Sequence, residues 1–77
     1  MWERQLKLRI GKVIQQARRQ QGISQEALAE KCKIRRESLS AIETGKRHIT
    51  LRYLNRIANA LDVPLSEFIE KAEKVVL

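Results

Sequence analysis

Residues 24–45 read SQEALAEKCKIRRESLSAIETG, and the start and stop signals inside this stretch decide the fold. Ser24 is a side-chain N-cap, and Ile23 before it is placed to staple onto Leu28. The helix so started runs to about Lys31, because Cys32, Lys33 and Ile34 leave room for a tight turn. Leu39 and Ile42 then form an i, i+3 apolar pair, and Gly45 supplies the left-handed residue that closes a helix of about nine residues.

Two short helices at Ser24 to Lys31 and Arg35 to Thr44, joined by a turn of a few residues, match the geometry that lays a second helix in a DNA major groove. Such pairs also occur as plain packing, and the outer surface of the second helix separates the two readings. Arg35, Arg36, Glu37, Ser38, Ser40 and Ala41 point away from the Leu39/Ile42 pair. A helix start built for stability alone carries Ser, Thr, Asp or Asn near Arg35 and avoids two cations at the positive end of the dipole. Breaking a local rule twice marks a functional position. The planar arginine fork pairs bidentately with guanine O6 and N7. Arg36 is therefore assigned to base reading over a solvated face, Arg35 is open between the two, and Glu37 is suited to accept from a cytosine amino group.

Outward from this pair, the apolar pattern stays helical. Leu6, Ile10, Val13, Ile14 and Ala17 share one stripe, and Gly22 ends that helix near Gln21. Gly11 lies inside the stripe as either a close backbone approach or a tolerated defect. Thr50 is a third start signal, with Ile49 and Leu54 as its staple, and Leu54, Ile57, Ala58 and Leu61 follow at i, i+3, i+4, i+7. Val63-Pro64 breaks that helix and Pro64 suits the start of another, in which Leu65, Phe68, Ile69 and Ala72 repeat the stripe. Val75, Val76 and Leu77 trail from it. With no alternating pattern and no repeat, the expected fold class is all-α with five helices. The 77 residues are expected to form one domain.

Only 4% of residues are aromatic, so the core must come from Leu, Ile, Val and Ala. A net charge of +7 asks for an anionic partner. The cations are spread over several short segments, which disfavours a membrane-surface helix and favours nucleic acid. No apolar run reaches the length of a membrane span, the polar start from Met1 to Arg9 is not a signal peptide, and a lone Cys32 fits a reducing cytosol, so a cytoplasmic location is expected. Cys32 itself reads as a small buried apolar residue. An enzyme needs a poised acid, base, nucleophile or metal site. One histidine, His48, between cations and one cysteine do not make one, and no cofactor, metal or small-molecule ligand is expected.

Three runs carry a family resemblance: Ser24-Gln25-Glu26-Ala27-Leu28-Ala29, Ile42-Glu43-Thr44-Gly45-Lys46-Arg47, and Leu54-Asn55-Arg56-Ile57-Ala58-Asn59-Ala60-Leu61. From Ile10 to about Phe68 the chain resembles the bacteriophage repressor and Cro type of helix-turn-helix protein, the xenobiotic response element family. The resemblance implies a five-helix, lambda-repressor-like DNA-binding domain with its helix-turn-helix at about 24–44. It implies that Gln25 braces a DNA phosphate and the first side chain of the reading helix, and that Arg18 pairs with Glu43 to fix that helix to the scaffold. It also implies phosphate contact by Lys46 and Arg47, through charge and exposed backbone amides, with His48 nearby. Lys33 departs from the family, which often has glycine in that turn, and Arg35 replaces the usual small N-cap. The spacing Arg47-His48-Ile49-Thr50-Leu51 is similar to the controller proteins of restriction-modification systems, a pattern that antitoxins and small phage repressors largely share.

The rival class is a protein-interaction or antitoxin module that keeps the fold without DNA contact. The basic frame of Lys31, Lys33, Arg35, Arg36, Lys46 and Arg47 argues against it. RNA binding is disfavoured because Trp2, Tyr53 and Phe68 are scattered; Tyr53 is expected to pack, and Trp2 to fray or lie on the first helix. The expected partners are double-stranded DNA, read by Arg35, Arg36, Glu37, Ser38 and Ser40, and a second copy of the chain. One reading helix covers too few base pairs to select a site, so a homodimer on an inverted repeat is expected. Its surface is assigned to Leu65, Phe68, Ile69, Ala72 and Val75 with the tail to residue 77, against the alternative that Leu65 and Phe68 close the protomer core.

Overall fold

A computed structural model describes the backbone of residues 2–77 and the side chains from Gln5 onward, so the expectation for the side chain of Trp2 lies outside the described residues. The order is α1 (Trp2–Gln20), α2 (Gln25–Cys32), α3 (Arg36–Glu43), α4 (Leu51–Ala60) and α5 (Leu65–Glu73), with no strand among the described residues.

Local chemistry explains the boundaries. Ser24 Oγ accepts the Ala27 N–H at 3.0 Å and Thr50 Oγ1 accepts the Tyr53 N–H at 3.1 Å, so α2 and α4 start on side-chain caps. Helices α1 to α4 all close by the same double turn, in which a residue of positive φ donates five-to-two and the residue after it donates six-to-one. In α1 the pair is Ile23 to Arg18 and Gly22 to Arg19; in α2, Ile34 to Ala29 and Lys33 to Glu30. In α3 it is Lys46 to Ala41 and Gly45 to Ile42; in α4, Val63 to Ala58 and Asp62 to Asn59. That turn needs positive φ, found at Gly22, Lys33, Gly45 and Asp62. Lys33 thus adopts at φ 64° the conformation that glycine takes without a Cβ penalty, and the sequence offered no sign that Asp62 would do likewise. Pro64 stands one place earlier than expected, as the residue before α5, and its carbonyl accepts from Phe68.

The core gathers Ile14, Leu28, Leu39, Ile42, Ile57, Leu61 and Phe68, all essentially solvent-free. Helix α1 packs on α3 and α5, α2 on α3 and α4, and α4 on α5. The expected outer face of α5 is corrected here: Phe68 and Ala72 are fully buried. As the lone phenylalanine, Phe68 supplies volume that aliphatic neighbours cannot, and Ala72 one turn later follows it inward. Leu65 and Ile69 keep 39% and 37% of their surface exposed, Val75 is half-buried, and Val76 and Leu77 are exposed. Tyr53 is half-buried against the core, as expected, and Cys32 is buried.

Candidate nucleic-acid interface

Helix α3 is eight residues long, about 12 Å at 1.5 Å per residue, which is the reach of three or four base pairs. Leu39, Ile42 and Glu43 face the protein and are buried; Arg35, Arg36 and Glu37 are exposed, and Ser38, Ser40 and Ala41 are half-exposed. Arg35 is the residue before the helix, in extended conformation and without a side-chain capping bond. The first amides of α3 and two guanidinium groups therefore share one end of the helix. Like-signed partial charges there cost about 0.3–1 kcal/mol in the free protein, and an anion at the same place reverses the sign. An open concavity beside this end is lined by Gln25, Arg36, Glu37, Ser40, Ala41, Thr44 and Lys46, which draws α2, α3 and the following loop onto one surface.

The inner side of α3 is fastened to α1. Arg18 Nε and Nη2 donate to the two carboxylate oxygens of Glu43 at 2.9 and 3.1 Å, and Arg18 Nη1 donates to the Ile23 carbonyl. The Glu43 side chain is 1% exposed. Gln25 Nε2 donates to Glu43 Oε1 at 3.0 Å, so Gln25 braces the last side chain of α3 rather than the first. Gln25 also lines the concavity beside α3.

One contact escaped the sequence reading, and a second settles an alternative it left open. Gln15 Nε2 donates to the Glu43 carbonyl at 3.1 Å, and a Cβ on Gly11 would lie 2.5 Å from that same oxygen and 2.7 Å from the Ile42 carbonyl. Gly11 is therefore a close helix-helix approach and not a defect. The signal was present as a polar stripe, since Gly11, Gln15 and Arg18 recur at i, i+4, i+7 beside the apolar one.

After α3, Arg47 Nη1 donates to Ser38 Oγ at 2.9 Å, linking a residue expected at phosphate to one expected at bases. The Lys46 amide is committed to the Ala41 carbonyl, which corrects the expectation that it is free for phosphate; its exposed side chain remains. His48 is exposed in the same loop. Among the described residues no group of His, Cys, Asp or Glu could hold a metal ion, and no helix is long and apolar enough to cross a membrane.

Comparison with known proteins matches residues 14–68 to the family described as helix-turn-helix. The chain belongs to the helix-turn-helix family. Its family is one of DNA-binding transcription regulators and not of enzymes. This helix-turn-helix chain is 34% identical over 70 residues to the control protein C.MunI of Mycoplasma sp, covering 90% of this chain and 95% of that one. It is similar to the crystal structure of the restriction-modification controller protein C.AhdI from Aeromonas hydrophila, with TM-score 0.78, 29% identity, and 80% and 94% of the two chains covered. It is similar also to C.Esp1396I bound to a 25 base pair operator site, with TM-score 0.82, 33% identity, and 90% and 91% covered.

Proposed function

We propose that this chain is a controller protein of a restriction-modification operon, binding an inverted-repeat operator in duplex DNA as a homodimer. The observation that carries the reading is the outer face of α3 and its first end, where Arg35, Arg36 and Glu37 are exposed and Ser38 and Ser40 half-exposed on a helix bolted to α1 from behind. In this reading α3 lies in the major groove, Arg36 takes a guanine edge, and Gln25, Lys46, Arg47 and His48 lie along the phosphates.

Size supports the dimer. The operator bound by C.Esp1396I has 25 base pairs. At 3.4 Å per base pair such a duplex is roughly 85 Å long, whereas this protomer measures 31 Å in its longest direction. One protomer reads a fraction of it, and a two-fold pair spaces its reading helices about 34 Å apart, one turn of DNA. Leu65, Ile69, Val76 and Leu77 are the exposed apolar residues left for the partner at the α5 end.

Selection of bound duplexes from a random pool, followed by titration of variants on the selected site, tests the proposal. The expected site is an inverted repeat. Arg36→Ala should cost about 1–3 kcal/mol there and little on random DNA, while Lys46→Ala weakens both alike and flattens the salt dependence by about one phosphate. A common factor of loss for Arg36→Ala on every duplex would remove it from the base-reading set, and affinity independent of salt would remove DNA binding altogether.

A further inference from the structure

Helix α5 ends differently from the other four. It has no residue of positive φ after it, and its last amide bonds, Lys74 to Lys71 and Val75 to Ala72, are short-range turns of 3.1 and 3.4 Å. The double turn that satisfies the final carbonyls of α1 to α4 is missing. In its place Arg9, from the first half of α1, donates through Nη1 to the Glu73 carbonyl at 3.3 Å and to the Val75 carbonyl. A guanidinium suits this place, because the C-terminal end of a helix carries partial negative charge.

The segment so held carries little that the protomer can use. Val75 packs partly on the core, but Val76 is 92% exposed and Leu77 56% exposed. Ordering a residue costs backbone entropy, and for Val76 almost no burial within the protomer offsets it. The same stretch carries the exposed apolar residues on from Leu65 and Ile69 past the end of the helix.

We infer that Arg9 is the positioning residue of the dimer surface: reaching from α1, it caps α5 and aims Val76 and Leu77 at a second copy of the chain. The inference rests on the dimer reading above and adds to it a residue that the partner need not touch. Because α1 also holds α3 through Gly11, Gln15 and Arg18, one helix then sets both the dimer surface and the reading helix.

Sedimentation equilibrium without DNA tests it on the 77-residue chain, on Arg9→Ala, Arg9→Lys and Val76→Ala, and on a control, Gln21→Ala. The control loses another side-chain bond between elements, Gln21 Nε2 to the Leu61 carbonyl, at the far end of α1. Arg9→Ala should raise the dimer dissociation constant about tenfold, the scale of one charge-assisted hydrogen bond. Arg9→Lys, able to reach one carbonyl, should recover part of this. Val76→Ala should weaken the dimer without lowering the melting temperature measured at concentrations where the chain is monomeric, and Gln21→Ala should lower that melting temperature while leaving the constant unchanged. A dimeric parent with an equally dimeric Arg9→Ala overturns the inference and leaves the dimer standing, as does an equal shift in the Gln21→Ala control. Should Arg9→Ala not fold, unchanged constants in Arg9→Lys and Val76→Ala overturn it. A parent that stays monomeric at all concentrations overturns the dimer itself, and the role of Arg9 with it.

Discussion

Replacing Arg18 by methionine tests how the reading helix is held. In the native protein the Glu43 carboxylate, 1% exposed, receives two bonds from Arg18 at 2.9 and 3.1 Å and one from Gln25 at 3.0 Å. Arg18→Met leaves the negative charge in place with a single neutral donor, Gln25. Stranding one partner of a buried pair costs about 3–5 kcal/mol. A chain of 77 residues has a total stability of roughly 4–12 kcal/mol at 0.05–0.15 kcal/mol per residue, so the variant should sit near its unfolding threshold. At about 4–8 °C per kcal/mol, its midpoint should fall by at least about 12 °C. Replacing both partners, as Arg18→Met with Glu43→Met, removes the stranded charge and should recover most of the loss. Urea unfolding followed by far-ultraviolet circular dichroism gives the four corners of the cycle, with an expected interaction energy of about 2 kcal/mol or more. An Arg18→Met protein within about 1 kcal/mol of the parent, or a double variant whose loss is the sum of the singles, would refute the reasoning.

Gly11→Ala should destabilise by about 2 kcal/mol, although alanine is the better helix former by about 1 kcal/mol, because its Cβ meets the Ile42 and Glu43 carbonyls; a raised melting temperature would sink the close-approach account. Gly45→Ala should cost more than Gly22→Ala in the same melt: both have positive φ, but a Cβ at Gly45 comes within 2.4 Å of Leu8 Cδ2 whereas Gly22 faces open space. Burial pushes the Cys32 thiol up, against a smaller downward pull from Lys31 and Arg56. The folded thiol therefore holds its proton more tightly than the unfolded one. Its contribution to stability is whole below the unfolded value of about 8.5 and fades as pH rises beyond it, so unfolding midpoints should decline above that pH and decline less in Cys32→Ala. Equal slopes for the two proteins would contradict this.

The residues that begin and end the helices act over a few positions, and these were legible. Ser24 and Thr50 cap through their own hydroxyls, Gly22 and Gly45 take positive φ by lacking a Cβ, and the 3.6-residue period names the buried stripe of each helix. Hence the five helices and the outward face of α3 followed from the chain alone, as did the assignment of Arg36 to that face. Asp62 was harder, because an aspartate enters the left-handed region only when its neighbours close the turn around it.

Periodicity gives the centre of an apolar stripe but not its width. On α5 it grouped Leu65, Phe68, Ile69 and Ala72, and only packing against α1 and α4 took Phe68 and Ala72 fully inside while leaving Leu65 and Ile69 half out. Contacts between remote elements depend on where the helices cross, which no local rule encodes. Gln25 turned to the last residue of α3 instead of the first because the Glu43 carboxylate is drawn inward by Arg18. Arg9 found the end of α5 across a separation of 64 residues because α1 and α5 pack side by side. The sequence by itself therefore determined the helices, their caps and the charge they display. Tertiary packing decided which apolar residues are left for a partner and which polar ones hold the reading helix in place, because each choice depends on a neighbour supplied by another part of the chain.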